Sequence, residues 1–193
     1  MTRSACVLLA DGFEEIEAIT VVDVLRRAGV CVSVLGGSTT GAGAPPRRAT
    51  GSHGLSVIVD AALVDVVAGG ARFDAVVLPG GLPGATNLRD DARVRDFVVG
   101  QHAQGAVLAA VCAGPIALAR FGLLRGKKAT CYPGFEAELT GAVVDTRAAV
   151  VVDGDVITSR GVGTSLAFAL ALVERLVDAD AARTLAEKML VST

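Results

Sequence analysis

The chain has few residues that bind metals or form disulfides. Its 193 residues include only two histidines and four cysteines, and the cysteines form no Cys-x-x-Cys pair. Zinc sites usually combine such pairs with further cysteines or histidines, and small disulfide-linked domains need an even set of suitably spaced cysteines. The sequence therefore predicts neither a metal site nor disulfides, and its thiols fit a reducing, cytoplasmic compartment.

Features of nucleic-acid-binding and membrane proteins are also scarce. The 18 Lys and Arg residues nearly balance the 20 Asp and Glu residues, and aromatic residues make up only 4% of the chain. No basic stripe interleaved with aromatics is present, so we expect no nucleic-acid partner. The first apolar run breaks at Asp11 and Gly12, and the longest nearly uncharged stretch, 105–119, contains two glycines and a proline. Because a membrane helix needs ~20 apolar residues, we expect neither a secretory signal nor a membrane span.

The sequence is rich in apolar residues that alternate between strand-like and helix-like patterns. Hydrophobic residues make up 52% of the chain, which predicts one compact domain over 1–193. Apolar runs typical of strands occur at Ser4–Ala10, Val30–Leu35, Leu55–Val59, Phe73–Leu78, Ala106–Val111, near Ala129, at Ala149–Val152 and at Val156–Ser159. Helices are predicted over Phe13–Ala28, Asp60–Ala68, a segment capped by Asp90 or Asp91, Ala113–Arg120, Gly163–Leu176 and Asp178–Leu190. The segment from Gly36 to about His53 is predicted to be an irregular connection. Such alternation is typical of a doubly wound, mainly parallel α/β sheet with helices on both faces.

Three predicted strands are followed by turns that contain chemically useful residues. DGFEEIE follows the first strand, Pro79-Gly80-Gly81 follows the Phe73 strand, and Cys112 follows the Ala106 strand. Ligand sites of doubly wound sheets lie at the carboxyl ends of the strands. We therefore expect the three turns to share one cleft.

Cys112 allows two interpretations. A thiol among apolar residues is most often a small core hydrophobe, and we interpret Cys6 and Cys31, which lie inside strand-like runs, in that way. Cys112 instead lies where a strand gives way to a helix, so its Sγ would project from a tight turn as in a nucleophile elbow. The start of a helix would also lower the pKa of the Cys112 thiol. This position makes Cys112 a candidate nucleophile.

The glycines of the Pro-Gly-Gly turn are candidate donors to an anion. Gly80 and Gly81 have no Cβ, so their N–H groups can approach a ligand closely and form an oxyanion hole with the N–H of Ala113. A Gly-Gly pair after a strand can equally be no more than a turn.

The acids of DGFEEIE also allow two interpretations. Carboxylates in the first turn of a helix are favoured by the helix dipole, which can account for Glu14 and Glu15. Glu17 shares a helix face with Val21 and Val24, so it could point inward. Burial would then raise its pKa and keep it protonated as a hydrogen-bond donor or general acid.

Four separated blocks, LADGFEEIE, VVLPGG, AAVCAGP and TSRGVGTS, resemble in this order the ThiJ/PfpI superfamily, and closely its DJ-one branch. The likeness covers nearly the whole chain and implies a flavodoxin-like sandwich, a homodimer, and no metal or organic cofactor. It implies that Cys112 is the reactive cysteine and Glu17 the protonated acid that hydrogen-bonds its thiolate. It also implies anion-binding backbone at Gly80, Gly81 and Ala113. The resemblance implies three activities: glutathione-independent glyoxalase activity on methylglyoxal-type 2-oxoaldehydes, deglycation of glycated amines and thiols, and oxidative-stress sensing through cysteine oxidation. The family also contains proteases and chaperones.

One position departs from this family's pattern. Tyr132 stands where animal members have a histidine, so a Cys-His-acid triad is not implied, and a tyrosine with an ordinary pKa of about 10 is a poor base near neutral pH. His53 falls near a position where relatives carry a cleft or interface arginine, which makes it a candidate site residue, whereas His102 is expected to be solvated. Ala113 stands where protease-like members carry histidine, which argues against a peptidase.

The same residues leave two functions open. In an enzyme, the Cys112 thiolate would add to a 2-oxoaldehyde and Glu17 would relay the proton. In a redox sensor, Cys112 would be oxidised to a sulfinic acid and Glu17 would stabilise it. A chaperone role would need no nucleophile. No histidine follows His102 for a glutamine amidotransferase, and no Gly-x-Gly-x-x-Gly follows the first strand for a nucleotide site.

Overall fold

Strands and helices alternate along the chain much as the apolar pattern predicts. The computed structural model describes residues 2–36 and 48–191. The strands within these ranges are β1 (Ser4–Leu9), β2 (Cys31–Gly36), β3 (Arg48–Thr50), β4 (Ser56–Ile58), β5 (Ala61–Ala62), β6 (Ala75–Leu78), β7 (Val107–Val111), β8 (Lys128–Ala129), β9 (Val143–Val144), β10 (Val150–Asp153) and β11 (Val156–Ser159). The α-helices are α1 (Glu15–Arg27), α2 (Leu63–Ala68), α3 (Gly84–Asp90), α4 (Ala92–Ala103), α5 (Pro115–Arg120), α6 (Ser165–Leu176) and α7 (Ala179–Lys188). Two short 3-10 helices span Glu136–Glu138 and Val162–Thr164.

Seven strands form one central sheet in the order β10-β11-β7-β6-β1-β2-β5. All neighbours run parallel except β10, which is antiparallel to β11. The remaining strands form two small pairs, the antiparallel hairpin β3–β4 and the parallel pair β8–β9. The predicted mainly parallel α/β sheet is confirmed.

The core has two layers because the sheet is covered on both faces. Alternate residues of β1 enter opposite layers: Ala5, Val7 and Leu9 lie in one, and Cys6 and Leu8 in the other. Helices α1, α6 and α7 cover the first layer, and α2 to α5 cover the second. A strand buried on both faces must be apolar at every position, which explains the continuous hydrophobic runs. Over the described ranges, no helix is long and apolar enough to cross a membrane.

Several local expectations need correction. Asp60, predicted to cap α2, instead accepts a hydrogen bond from the backbone N–H of Val34 (2.7 Å). Cys31, interpreted as a core residue, is exposed. Helix α3 was not predicted, because the Pro-Gly stretch before it indicates only a turn. The irregular connection predicted from Gly36 to about His53 falls largely on 37–47, outside the described residues, and its end contains strand β3. The strand predicted at Leu55–Val59 is β4.

Candidate active site

The four sequence blocks meet at one edge of the sheet. Strands β1, β6, β7 and β11 are parallel neighbours, so their carboxyl ends lie side by side. The segments that follow these four strands contain Glu17, Gly80, Cys112 and Gly161, respectively. Residues up to 144 positions apart in sequence (161 − 17 = 144) are therefore brought to one cleft.

Cys112 occupies a strained elbow between β7 and α5. Its φ is 61°, in the left-handed region that costs a non-glycine residue on the order of 1–2 kcal/mol. The backbone is held there on both sides: the Cys112 N–H donates to the Ser159 carbonyl (3.0 Å), and the Cys112 carbonyl accepts from the Tyr132 N–H (2.9 Å). The thiol is only partly buried. This geometry is that of a nucleophile held out of a tight turn.

Glu17 points inward from α1 and is fully buried, as its spacing with Val21 and Val24 predicts. Its Oε2 accepts the N–H of Gly80 (2.8 Å), whereas its Oε1 is buried without a hydrogen-bond partner among the described residues. Burial raises the pKa of Glu17 to about 7, and the charge of Glu14 adds to the rise, while hydrogen bonds from Gly80 and with Cys112 oppose it. At neutral pH this carboxyl can both hold and release a proton.

The thiol of Cys112 is coupled to Glu17. Burial raises the pKa of Cys112 to about 12, and the charge of Glu17 and the hydrogen bond to it raise the pKa further. The expected net lowering by the start of α5 is therefore wrong, although the N–H groups of Ala113 and Gly81 do hydrogen-bond the sulfur and lower its pKa. A thiolate can form readily only when the neighbouring carboxyl takes up the proton, so the two groups act as one pair.

Gly80 serves the site through its small size. A Cβ built on Gly80 would lie 2.5 Å from the Cβ of Cys112, 2.7 Å from Oε2 of Glu17 and 2.9 Å from the N of Ala113. Its N–H is already donated to Glu17, so the expectation that Gly80 donates to an oxyanion is corrected: Gly80 positions the acid. The N–H groups beside the sulfur are those of Gly81 and Ala113.

Tyr132 and Gly161 line the cleft next to the sulfur. A Cβ on Gly161 would lie 3.2 Å from Cδ2 of Tyr132 and 3.9 Å from Sγ of Cys112. The Tyr132 side chain is half exposed, and its ring packs edge-on against Phe135. Gly161 was not predicted as a site residue from the sequence. It lies in the TSRGVGTS block just after β11, and its place at the carboxyl end of a strand was a signal that could have identified it.

His53 lies beside the first turn of α1. Its Nδ1 is 2.9 Å from Oε2 of Glu15 and 3.9 Å from Oε1 of Glu14. Within the described part of the chain, the contacts recorded for His53 do not include Cys112 or Glu17. The structure therefore places His53 with the neighbouring acids.

Glu14 and Glu15 are more than favourable charges on a helix dipole. Glu14 is the N-cap of α1, because its Oε2 accepts the N–H of Glu17 (2.8 Å). Glu15 is buried, which raises its pKa, but hydrogen bonds from His53 and from the backbone outweigh burial and hold the pKa at about 2. Both acids thus hold the start of α1 and the hairpin loop in place.

Comparison with known proteins gives consistent similarities. A family model described as the DJ-1/PfpI family matches residues 3–175. Protein dj-1beta of Drosophila melanogaster is 39% identical over 194 residues, which cover 100% of this chain and 99% of that protein. Its crystal structure matches with a TM-score of 0.92 and 37% identity over 100% of both chains. A Caenorhabditis elegans protein named glutathione-independent glyoxalase DJR-1.2 is 35% identical over 176 residues, 90% of this chain and 89% of that protein. The structure of oxidized Toxoplasma gondii DJ-1 matches with a TM-score of 0.90 and 32% identity over 100% of both chains.

Proposed function

Because the chain belongs to the DJ-1/PfpI family, we propose that it is a cofactor-independent, cysteine-dependent glyoxalase. Its substrates are methylglyoxal-type 2-oxoaldehydes or, in a deglycase reaction, their adducts with amines and thiols. The observation that carries this proposal is the pairing of Cys112 with Glu17 at a strained elbow, with two backbone N–H groups at the sulfur. The relative named as a glutathione-independent glyoxalase supports the choice of chemistry.

The first step transfers one proton and forms one bond. The thiol proton of Cys112 passes to the carboxylate of Glu17, and the thiolate adds to the aldehyde carbon of the substrate. The carbonyl oxygen becomes an oxyanion, which the N–H groups of Gly81 and Ala113 stabilise before it takes the proton from Glu17. The product of this step is a hemithioacetal on Cys112.

The second stage isomerises and releases the adduct. The Glu17 carboxylate removes the proton from the former aldehyde carbon, which gives an enediolate, and returns that proton to the neighbouring carbon, while the hydroxyl proton of the hemithioacetal passes to the oxygen of the neighbouring carbon. The adduct is now a thioester of a 2-hydroxy acid on Cys112. Water hydrolyses the thioester, so the balance is one methylglyoxal plus one water to one lactic acid, with the thiol restored. A carboxyl with a pKa of about 7 suits this repeated transfer, because it is close to the operating pH.

Lactate formation from methylglyoxal without glutathione tests the proposal. Wild-type protein should convert the aldehyde, Cys112→Ala should fall to the uncatalysed rate, and Cys31→Ala should keep wild-type turnover because Cys31 is exposed at the start of β2. Full turnover by Cys112→Ala would overturn the assignment.

Redox sensing is the second candidate, and the solved structure of an oxidized relative favours considering it. Two equivalents of peroxide would convert the Cys112 thiol to a sulfinic acid and two waters, and the protonated Glu17 would hydrogen-bond the product. Mass spectrometry after mild peroxide treatment should then find two added oxygens on Cys112. Oxidation confined to Cys6, Cys31 and Cys131 would refute this role.

We also propose a homodimer in a reducing, cytoplasmic compartment. Ile16 and Ile19 are 54% and 43% exposed on one face of α1, and apolar side chains on a helix face favour a partner surface. The four free cysteines support the reducing location. Light scattering should give a dimer for the wild type and a monomer for the double variant Ile16→Lys, Ile19→Lys; a monomeric wild type would contradict the proposal.

A further inference from the structure

We propose that Glu14, Glu15 and His53 form a binding site for a divalent transition-metal cation, with Zn²⁺ as the best fit. The site is separate from the Cys112 thiol and does not depend on the proposed glyoxalase activity. The spacing of cysteines and histidines along the sequence gives no sign of it, because two of its ligands are carboxylates and its histidine lies 38 residues from Glu15.

The three ligand atoms already lie near the separation that a metal requires. Nδ1 of His53 is 2.9 Å from Oε2 of Glu15 and 3.9 Å from Oε1 of Glu14, and all three ligand atoms lie within 4.8 Å of one another. Zn²⁺ with bonds of about 2.0–2.1 Å sets tetrahedral ligands roughly 3.3 Å apart. Both separations from Nδ1 of His53 lie within about 1 Å of that value, so modest shifts of the three side chains would complete a three-ligand site. The His53 side chain is 72% exposed, so water can supply a fourth ligand.

Glu14 directs one carboxylate oxygen, Oε1, toward His53, 3.9 Å from its Nδ1. Its side chain is only 10% exposed. Oε2 accepts the N–H of Glu17, but no hydrogen bond to Oε1 is recorded from the residues that the structure describes. A cation between Glu14 and His53 would bind this oxygen.

The charge at this position also favours a cation. The carboxylates of Glu14 and Glu15 lie together at the start of α1, and in the described ranges their recorded ion pairs are with His53 alone. A divalent ion would balance the two negative charges directly. One imidazole nitrogen with two carboxylate oxygens suits Zn²⁺ and its first-row neighbours, whereas Mg²⁺ and Ca²⁺ prefer oxygen ligands throughout.

The two carboxylates are held in place, as a metal site requires. Oε1 of Glu15 accepts the backbone N–H groups of His53 (2.7 Å) and Leu55 (3.4 Å), and Glu14 is fixed as the helix N-cap. The exposed side chain of His53 has the most room to adjust to an ion. A bound ion would therefore link the loop of the β3–β4 hairpin to the start of α1.

Calorimetric titration of Zn²⁺ into the full-length protein tests the site. The background variant Cys112→Ser removes the active-site thiol as a competing ligand. We expect one Zn²⁺ per chain, with affinity reduced at least tenfold by His53→Ala and by Glu15→Gln. His102→Ala is the matched control, because His102 is the other histidine and lies near Asp155 instead (3.6 Å). It should bind Zn²⁺ as the background does.

Co²⁺ absorption identifies the ligands if any variant changes fold. A site of nitrogen and oxygen ligands gives no sulfur-to-cobalt charge-transfer band, and circular dichroism reports folding of each variant. Binding that is absent, binding that is unchanged in His53→Ala, or a sulfur-to-cobalt band would each overturn the proposal.

Discussion

Replacement of Glu17 by glutamine should separate thiol reactivity from turnover. The pKa of Cys112 is raised to about 12, first by burial and then by the charge of Glu17 and the hydrogen bond to it. At pH 8 such a thiol is ionised in roughly one molecule in 10⁴. Glutamine keeps the shape of the side chain and can still accept the N–H of Gly80, but it carries no charge and can donate an N–H to the sulfur. We therefore expect the pKa of Cys112 to fall in Glu17→Gln.

The size of the effect follows from the thiolate fraction. Each unit of fall in the thiol pKa raises the thiolate fraction about tenfold, and it lowers the nucleophilicity of that thiolate about threefold. Alkylation of Cys112 should therefore accelerate about threefold per unit. Turnover of methylglyoxal should fall by about 10²–10⁴-fold, because the glutamine can neither take nor return a proton.

Iodoacetamide labelling at pH 8, followed by mass spectrometry of the Cys112 peptide, measures the first effect. The peptide must be resolved because Cys31 is exposed and also reacts. Glu174→Gln makes the same chemical change on the exposed face of α6 and should alter neither labelling nor turnover. Unchanged or slower labelling of Cys112 in Glu17→Gln would refute the coupling of the two groups.

Two further predictions concern stability and packing. Gly80→Ala places a Cβ 2.5 Å from Cys112 Cβ and 2.7 Å from Glu17 Oε2, so urea denaturation should show a free energy of unfolding lowered by about 1–3 kcal/mol, together with reduced turnover. The control Gly100→Ala in α4, with nothing within 4 Å of its Cβ, should keep activity and raise the free energy of unfolding by up to about 1 kcal/mol. A Gly80→Ala variant as active as wild type would contradict the tight packing. The pKa of Glu17 is about 7 in the folded chain against an ordinary 4.5, so the stability this carboxyl contributes is present below pH 4.5 and is lost as pH rises through 7. With a chelator present, the unfolding free energy of Glu17→Gln relative to wild type should therefore increase by about 3 kcal/mol between pH 4.5 and 7.5, and a pH-independent difference would show that Glu17 is not buried as a neutral acid.

The elements that carry the site could be predicted because their signals are local. The apolar run before Cys112 is long enough for a buried strand, and small residues follow it, so the elbow could be placed within a residue or two. The inward direction of Glu17 followed from its i+4 and i+7 neighbours on α1, which are both buried.

The partners of each polar group could not be predicted, because they come from distant parts of the chain. Local position suggested a lowered pKa for Cys112, but burial and a carboxyl 95 residues away (112 − 17 = 95) raise it. Gly80 lies in a turn whose N–H could have been donated to a ligand. Its N–H is instead donated to Glu17, because α1 brings this side chain next to the turn. The contact between His53 and Glu15 likewise depends on how the hairpin folds against α1.

The pH dependence of glutathione-free lactate formation tests most directly whether Cys112 and Glu17 act as one proton-sharing pair. The pair has no negative charge when both groups are protonated, and it loses its first proton near the pKa of Glu17, about 7. In the presence of a chelator, kcat/KM of the wild type should therefore rise through a single-proton step near pH 7 and then level off. In Glu17→Gln this step should disappear, and the remaining activity should follow ionisation of the thiol at higher pH. A wild-type profile that is flat from pH 5 to 9, or a step near pH 7 that persists in Glu17→Gln, would contradict the account.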